Sequence, residues 1–248
     1  MKAIVYRQYG GPEVLQLTEL DVPKPGAKQV LVRVHASSLN AADWRMMRAN
    51  PFLVRLMNGL FRPKKRLVLG QDVAGVVVSA GADVTRFKSG DEVFGETPMQ
   101  ADGSFAEYAV VDESALVKKP ARLAFDEAAA VPLAGTTALQ ALRLAGVGPG
   151  KRVLIQGAGG GVGLFTVQVA RALGAHVTAV AGPKSVALVR SLGAHVVLDY
   201  SRDDFATLGQ TWDAIIGVNG YRSVRDYRRS LSRGGRYVMV GGSGAQLF

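Results

Sequence analysis

The most constraining feature of the sequence is a glycine-rich segment that joins a short apolar run to an amphipathic stretch. Residues 153–163 read VLIQGAGGGVG, and the best spacing of small residues is A-x-G-x-x-G, formed by Ala158, Gly160 and Gly163. Apolar periodicity predicts a strand over Val153–Gln156 and a helix over Val162–Leu173. A glycine turn between a strand and a helix brings bare main chain to the helix N-terminus.

Such a turn suits an anion, because glycine lets backbone N–H groups approach a ligand closely and a helix N-terminus carries about half a positive charge. The spacing therefore predicts a diphosphate-binding turn, and a turn that binds nothing is the alternative. The residues predicted to hold the diphosphate are Ala158, Gly159, Gly160, Gly161, Val162 and Gly163.

The rest of the C-terminal half alternates strands with helices. The predicted strands are 177–181, 196–198, 214–218 and 236–240, and the predicted helices are 184–192 and about 224–231. Regular alternation of this kind is typical of a parallel, doubly wound sheet of the Rossmann type. It predicts an α/β fold for this half of the chain.

The end of the second strand of that sheet indicates which dinucleotide is bound. Proteins that select NAD often place an acidic residue there to hold the ribose 2′-hydroxyl. This chain has Ala181-Gly182-Pro183-Lys184 instead, with no acid. A cation can pair with the 2′-phosphate of NADPH, so Lys184 predicts NADPH; a merely solvated lysine is the alternative.

The N-terminal half reads as many short strands with turns between them. Strands are predicted at 2–6, 30–34, 73–78, 92–94 and 104–111, and the segment 43–60 reads as helical or irregular. This pattern favours a small, barrel-like β domain over residues 1–120, followed by the Rossmann domain over 121–248. A helix over Phe125–Ala130 is expected to end at Pro132, with Thr136 or Thr137 as the N-cap of the next helix.

Composition excludes several classes of site. The 248 residues contain no cysteine and three scattered histidines, so we expect no metal. No signal peptide or run of about 18 apolar residues is visible, so we expect a cytoplasmic protein with no membrane partner. The net charge is +10, which suits a basic surface or the steering of an anionic cofactor. The basic residues form no known nucleic-acid motif, so nucleic acid is not an expected partner.

Several motifs in order resemble one family. They are SSLNAADWR, LVLGQDVAGVV, FKSGDEVFG, GSFAEYAVV, EAAAVPLAGTTALQAL, GAGGGVG, VRSLGAHVVLDY and GRYVMVGG. Together they are similar to the zinc-free quinone oxidoreductase branch of the medium-chain dehydrogenase/reductase superfamily. The resemblance covers essentially the whole chain and implies a GroES-like β-rich domain joined to a Rossmann domain.

The resemblance also implies site residues. Asn40 would face the nicotinamide and the substrate, with Asp43 near it, and Arg45 is a second catalytic candidate. The implied cofactor contacts beyond the glycine turn are Asn40, Thr136, Lys184, Tyr200, Asn219, Val240, Gly241 and Gly242. For Asn40, Thr136 and Tyr200 the alternatives are a turn cap, a helix cap and a packing residue.

The implied reaction is hydride transfer from NADPH to a quinone or an activated alkene, a small-molecule substrate. Asn40 and then Arg45 are the candidates for stabilising developing oxyanion charge, and the proton could come from solvent. Two alternatives stay open. The same scaffold could act as an alcohol dehydrogenase or enoyl reductase, or the chain could bind NADPH without turnover as a structural or regulatory protein.

The chain departs from the family pattern in two places. Members often carry Asp where this chain has Gly217, and they continue well past the final VGGSGAQLF. We therefore expect a truncated chain in which the Rossmann sheet lacks its last strand and the β domain lacks its closing elements. The family tendency to form homodimers is doubtful in such a chain, because the missing strand is often used for dimerisation.

Overall fold

The computed structural model describes residues 1–64, 67–99 and 101–242. The chain forms two compact units, Met1–Leu133 and Ala134–Phe248. Residues 121–133 belong to the first unit, whereas the sequence places the domain boundary after residue 120. The reason is a helix at Phe125–Ala129, whose Ala128 and Ala129 are buried against Ala74 of the first unit.

The first unit is built on antiparallel strands, which confirms the predicted β-rich domain. A hairpin pairs β1 (Lys2–Tyr6) with β2 (Leu15–Glu19). A five-stranded sheet has the order β6-β3-β4-β5-β7. Its strands are β3 (Gln29–Ala36), β4 (Asp72–Ala80), β5 (Glu92–Glu96), β6 (Tyr108–Asp112) and β7 (Leu116–Lys118).

Alternate side chains of this sheet form a buried core. Val30 and Val32 of β3 meet Val73 and Val77 of β4, all nearly free of solvent exposure. Alternation at a period of two places these residues on one face, as the sequence pattern predicts.

One predicted strand starts later than expected. Residues 104–111 read as a single strand, but β6 begins at Tyr108. The backbone before Tyr108 forms hydrogen bonds outside this sheet: the Phe105 N–H donates to the Leu69 carbonyl, and the Phe105 carbonyl accepts from the Ile4 N–H.

In the described residues of the first unit, three helices accompany these strands. They are α1 (Ala41–Arg48), α2 (Val54–Asn58) and α3 (Phe125–Ala129). The first two fall in the predicted helical segment, and Pro51 separates them as expected.

The second unit contains a parallel sheet of five strands within the described residues, in the order β10-β9-β8-β11-β12. The strands are β8 (Arg152–Gln156), β9 (His176–Ala181), β10 (Val196–Asp199), β11 (Trp212–Gly217) and β12 (Leu231–Met239). All neighbours pair in parallel. This order, with β8 and β11 adjacent at the centre, confirms the Rossmann prediction.

Four helices accompany this sheet: α4 (Pro132–Ala145), α5 (Gly161–Ala172), α6 (Val186–Ser191) and α7 (Val224–Arg229). The expectation that Thr136 or Thr137 caps a helix is wrong, because α4 already begins at Pro132. Proline is favoured at the first helical position, where its missing N–H leaves no bond unmade. Thr136 therefore lies inside α4, where it is exposed.

Both faces of the parallel sheet are buried. Val153 and Ile155 of β8 face a cluster that includes residues of α4 and α5. The alternate Leu154 faces a second cluster with Phe205, Trp212 and Tyr227. Parallel strands covered on both sides read as continuous apolar runs, which is why the sequence predicts them well. No helix in the described part of the chain is long and apolar enough to cross a membrane.

Candidate functional site

The carboxyl ends of the five parallel strands form one edge of the sheet. Because all five run in the same direction, the segments that follow Gln156, Ala181, Asp199, Gly217 and Met239 lie along it. Ligands of open α/β sheets bind at this edge. The predicted cofactor residues that follow these strand ends are 158–163, Lys184, Tyr200, Asn219 and 240–242.

The glycine turn is tightly fixed at both ends. Gly157 has a φ of +81°, a conformation that favours glycine. The N–H groups of Gly157 and Ala158 donate to the carbonyl of Val180 at 3.1 and 3.0 Å, which ties the turn to β9. At the other end, a Cβ atom on Gly163 would lie 2.2 Å from the carbonyl oxygen of Gly157. Only glycine lets α5 approach the turn this closely.

The middle of the turn is open. A Cβ atom on Gly160 would meet only the Gly157 carbonyl oxygen at 3.8 Å, and one on Gly161 would meet only Ala134 at 3.9 Å. Gly160 is the N-cap of the twelve-residue helix α5, and no side chain caps that end or places an acid in its first turn. Space and positive potential therefore coincide here, as a diphosphate requires.

The segment after β9 lies beside the turn. A Cβ atom on Gly159 would lie 2.7 Å from the hydroxyl oxygen of Ser185. Lys184 is exposed in the 3₁₀ turn Pro183–Ser185, and its ammonium has no hydrogen bond or ion pair with the described residues. Ser185 was not predicted as a site residue, although its position next to Lys184 in the sequence indicates it.

Tyr200 lies at the neighbouring strand end. It is 57% exposed, and its ring packs on Gly182, where a Cβ atom would lie 3.1 Å from the tyrosine hydroxyl. Lys184 therefore follows Gly182 by two residues, and Tyr200, from the next strand end, packs on the same glycine. Their grouping around a 2′-phosphate stays a prediction.

The loops after β11 and β12 are held by the strand ends. The carbonyl of Gln156 accepts from the N–H of Asn219 at 3.4 Å. The carbonyl of Gly217 accepts from the N–H groups of Val240 and Gly241 at 3.0 and 3.2 Å. The predicted residues Asn219 and Val240–Gly242 therefore belong to backbone that is fixed against the centre of the sheet.

A buried polar cluster lies under this edge and was not predicted. The hydroxyl of Tyr227 donates to Oε1 of Gln156, whose Nε2 is buried without a hydrogen-bond partner among the described residues. Burial raises the pKa of Tyr237 well above that of a free phenol, and the adjacent Tyr227 adds to the effect. Both hydroxyls therefore stay protonated at neutral pH.

The same cluster accounts for the glycine at position 217. A Cβ atom there would lie 2.6 Å from the hydroxyl of Tyr237. A side chain at this position would collide with Tyr237, so the aspartate common in the family does not fit this chain.

In the first unit, Asn40 lies in a network around a buried carboxylate. Asp72 is fully buried and accepts hydrogen bonds from Asn40 Nδ2 at 2.8 Å, from the N–H of Leu133 at 2.8 Å and from the Ser38 hydroxyl. Asn40 Nδ2 also donates to the Ser38 hydroxyl at 3.1 Å. Asp72 and Ser38 were not predicted as site residues, because the network joins Asp72 to residues more than 30 positions away in the chain.

These contacts fix the orientation of the Asn40 amide. Asp72 needs a donor, so Nδ2 must point towards it, and both N–H bonds of Asn40 are then directed to Asp72 and Ser38. The Asn40 side-chain oxygen accepts from the backbone N–H of Asp43 in a capping box, and its other lone pair is the group that can meet a ligand. It can accept a hydrogen bond from an N–H or O–H group but cannot stabilise an oxyanion.

Asp43 and Arg45 lie on the helix that Asn40 begins. The buried carboxylate of Asp43 accepts from the N–H groups of Asn40 at 2.8 Å and Gly70 at 3.0 Å, so it fixes the start of α1. Arg45 is half-buried, with its guanidinium 5.5 Å from the centre of the Trp44 ring. The described residues show no hydrogen bond between Arg45 and the Asn40 network.

The described residues contain no group of three or more His, Asp or Glu side chains that could hold a metal ion. At Gly70-Gln71-Asp72, Gln71 is buried and its Oε1 lacks a hydrogen-bond partner in the described part of the chain. An amide and a carboxylate bonded to Ser38 and Asn40 form no metal-ligand set at this point.

Comparisons with known proteins match both units. Residues 26–121 match the alcohol dehydrogenase GroES-like domain family, and residues 161–247 match the zinc-binding dehydrogenase family. The chain is 37% identical over 253 residues to the chloroplast envelope quinone oxidoreductase homolog of Arabidopsis thaliana, covering 97% of this chain and 74% of that protein. It is 35% identical over 258 residues to the NADPH-dependent alkenal/one oxidoreductase of the same plant, covering 98% and 63%.

A solved structure agrees with these matches. The quinone oxidoreductase from Coxiella burnetii superposes with a TM-score of 0.87 at 33% identity, over 96% of this chain and 75% of that one. The likeness extends through both units, with two family matches in the expected order and relatives that are 37% and 35% identical over the aligned residues. This chain therefore belongs to the quinone oxidoreductase branch of the medium-chain dehydrogenase/reductase superfamily.

Proposed function

We propose that the protein is an NADPH-dependent reductase that passes hydride to a quinone or an activated alkene. Relatives named as quinone oxidoreductases and as an alkenal/one oxidoreductase support this substrate class. The cofactor supplies the hydride, and the protein must bind, orient and shield the reactants.

The observation that carries the proposal is the open, uncapped start of α5. At Gly160 and Gly161 the space beside the backbone is open, and a side chain there would occupy the space proposed for the diphosphate. The positive φ of Gly157 and the close backbone packing of Gly163 fix the conformation of the turn. The backbone N–H groups at this end can donate to diphosphate oxygens. The residues present thus fit a dinucleotide.

The preference for NADPH over NADH rests on the segment after β9. Lys184 is exposed and unpaired among the described residues, and no acid follows the strand. A hydrogen bond from an ammonium to a phosphate contributes about 1.5–3 kcal/mol, which corresponds to roughly tenfold or more in affinity. Ser185 and Tyr200 offer further hydroxyl groups at the same place.

Asn40 and Arg45 are the proposed residues on the reacting side. The Asn40 carbonyl oxygen can accept a hydrogen bond from the amide of the nicotinamide or from a hydroxyl group. Arg45 is the better candidate for charge that develops on a substrate oxygen, because its guanidinium can donate. Thr136, Asn219 and Val240–Gly242 are proposed to border the rest of the cofactor, and solvent can supply the proton.

We propose that no zinc takes part. The chain has no cysteine, and the family resemblance implies that Gln71 stands where zinc-using relatives carry histidine, so thiolate and imidazole ligands are missing at this point. The cytoplasmic location expected from the sequence stays a prediction.

Binding of NADPH and NADH measured by fluorescence titration tests the proposal, followed by an assay with a simple quinone. We expect NADPH to bind at least about tenfold more tightly than NADH. Lys184→Ala is expected to remove most of that difference by weakening NADPH alone. Oxidation of NADPH should depend on the quinone.

The matched control is Lys151→Ala. Lys151 is also exposed but lies just before β8, at the opposite end of the strands. Lys151→Ala removes the same charge as Lys184→Ala and should leave the ratio of the NADPH and NADH affinities unchanged. Equal affinity for the two nucleotides in the unmodified protein would refute the NADPH assignment, and NADPH binding without turnover on any quinone or enone would refute the reductase assignment.

A further inference from the structure

The segment around α2 exposes an apolar stripe. Leu53 is the N-cap of α2, Leu56 and Met57 lie within the helix, and Leu60 follows its C-cap. Their side chains are 64%, 67%, 52% and 45% exposed, in the order Leu53, Leu56, Met57 and Leu60. Phe52 and Phe61 beside them are 64% and 87% exposed. We call these six residues the apolar stripe. Exposed apolar side chains this closely grouped indicate an interaction surface.

Hydrogen bonds on the protein-facing side of the same segment keep the apolar stripe facing solvent. Asn58 is buried and donates to the Tyr6 hydroxyl at 2.7 Å, and the Tyr9 hydroxyl donates to the Gly59 carbonyl at 2.7 Å. Val54 packs against the cluster that contains Tyr6. The inner side of the segment is thus anchored by Val54 and Asn58, and Leu56 and Met57 remain exposed on the outer side.

Positive charge surrounds the stripe. Residues 44–66 contain seven basic residues and no acidic one. Arg55 donates to the Leu60 carbonyl at 3.1 Å, and its guanidinium lies over the Tyr9 ring at 4.6 Å, so it is fixed beside the stripe. Arg62 and Lys64 are exposed at its end. The surface therefore combines apolar side chains with unopposed cations.

We propose that the apolar stripe binds the surface of an anionic lipid bilayer. Apolar side chains of an interfacial helix enter the boundary between headgroups and acyl chains, and neighbouring cations are attracted to anionic headgroups. A second copy of this chain would bring Arg55, Arg62 and Lys64 close to the same cations of its partner, which is unfavourable. A nucleic acid would pair with the cations but leave the stripe exposed.

This proposal revises the expectation of no membrane partner, which was based on spanning segments only. A surface contact needs no spanning helix. The proposal does not depend on the reductase activity, because its test measures lipid binding alone.

Flotation of the full chain with lipid vesicles tests the proposal. We expect binding to vesicles of phosphatidylcholine mixed with phosphatidylserine, little binding to pure phosphatidylcholine, and release by salt. Leu56→Glu should lower the partition constant by about tenfold or more, because it removes a leucine that would be buried in lipid. Arg62→Gln should lower it about fivefold.

The matched control is Leu17→Glu, because Leu17 is 71% exposed on β2 and outside the stripe. It should bind like the unmodified protein, and thermal melting should show that all variants fold. Equal binding to neutral vesicles, or unchanged binding by Leu56→Glu, would overturn the proposal. Sedimentation velocity provides a separate check: self-association that Leu56→Glu abolishes would assign the stripe to a second copy and overturn it too.

Discussion

Two glycines of one turn are constrained in different ways. Gly163 is closed in by backbone, with the Gly157 carbonyl and the Ala158 Cα atom within 2.7 Å of a Cβ position. Gly160 has space at the same atom and a φ of −92° that any residue can adopt. Gly163 is therefore needed for the fold, whereas Gly160 is needed only if a ligand approaches the turn.

Alanine at each position separates these two requirements. Gly163→Ala should lower the free energy of unfolding by about 1–3 kcal/mol, since an added methyl group forces the backbone apart. Gly160→Ala should leave the melting temperature almost unchanged but weaken NADPH binding by roughly tenfold, because the methyl group enters the space for the diphosphate. Urea unfolding and fluorescence titration measure the two effects. Unchanged NADPH affinity in Gly160→Ala would contradict the placement of the diphosphate.

Among the secondary-structure elements, β9 and β10 share a histidine pair where the two strands begin. His176 starts β9 and His195 precedes β10, and their rings stack at 4.1 Å. The N–H of Val177 donates to Nδ1 of His195 at 2.9 Å, so this nitrogen must remain unprotonated. Burial lowers the pKa of His195 below 6.5, and the charges of His176 and Arg171 lower it further.

The lowered pKa of His195 makes stability depend on pH. The unfolded chain takes up this proton near pH 6.5 and the folded chain only at lower pH, so the free energy of unfolding falls as the pH drops below 6.5 and is restored above it. His195→Gln should reduce that dependence. Urea unfolding on both sides of pH 6.5 checks this, with an NMR titration of the ring. The same pH slope in the variant would show that other groups cause it.

The elements that the sequence predicts well are those with a strong local pattern. The continuous apolar run before the glycine turn gives β8, and alternation gives β3. In contrast, β2 (Leu15–Glu19) is exposed along most of its length and β7 has three residues, so each is defined by its partner strand rather than by its own pattern. The start of α4 was misread because Pro132 can either end a helix or begin one.

At the scale of the whole molecule, each unit has its own core. The sheet of the first unit encloses Val30, Val32 and Val73, whereas the parallel sheet is buried between two other clusters. The residues proposed to bind the diphosphate and the 2′-phosphate all lie in the second unit. A ligand that contacts only these residues stabilises the unit that contains them.

Hydrogen exchange with and without NADPH should show this difference. At about 100 times the dissociation constant, NADPH adds about 2.7 kcal/mol to the opening free energy of the state it binds. We expect most of that protection at the amides of β8 and β9 and less at those of β3 and β4. Equal protection in both units would mean that they open together, and greater protection in the first unit would place the main binding site there.

The candidate site was only partly predictable, because some of its contacts join residues that are far apart in the sequence. The glycine turn is local, so its spacing alone predicts a diphosphate contact. The bonds of Asp72 to Ser38 and Asn40, and the closeness of Tyr237 to Gly217, join residues from separate strands and loops. Nothing in the local sequence marks such partners, and the amide orientation of Asn40 depends on them.

The pairing of β8 with β11 has a consequence for synthesis of the chain. These neighbours are far apart in sequence, with Val153 opposite Ala214 and Gln156 opposite Gly217. While the ribosome is still adding the intervening residues, one side of β8 has no partner and Asn219 is not yet there to pack on Gly157. The proposed nucleotide site can therefore form only after β11 has been made, so nascent chains arrested before β11 should fail to retain NADPH.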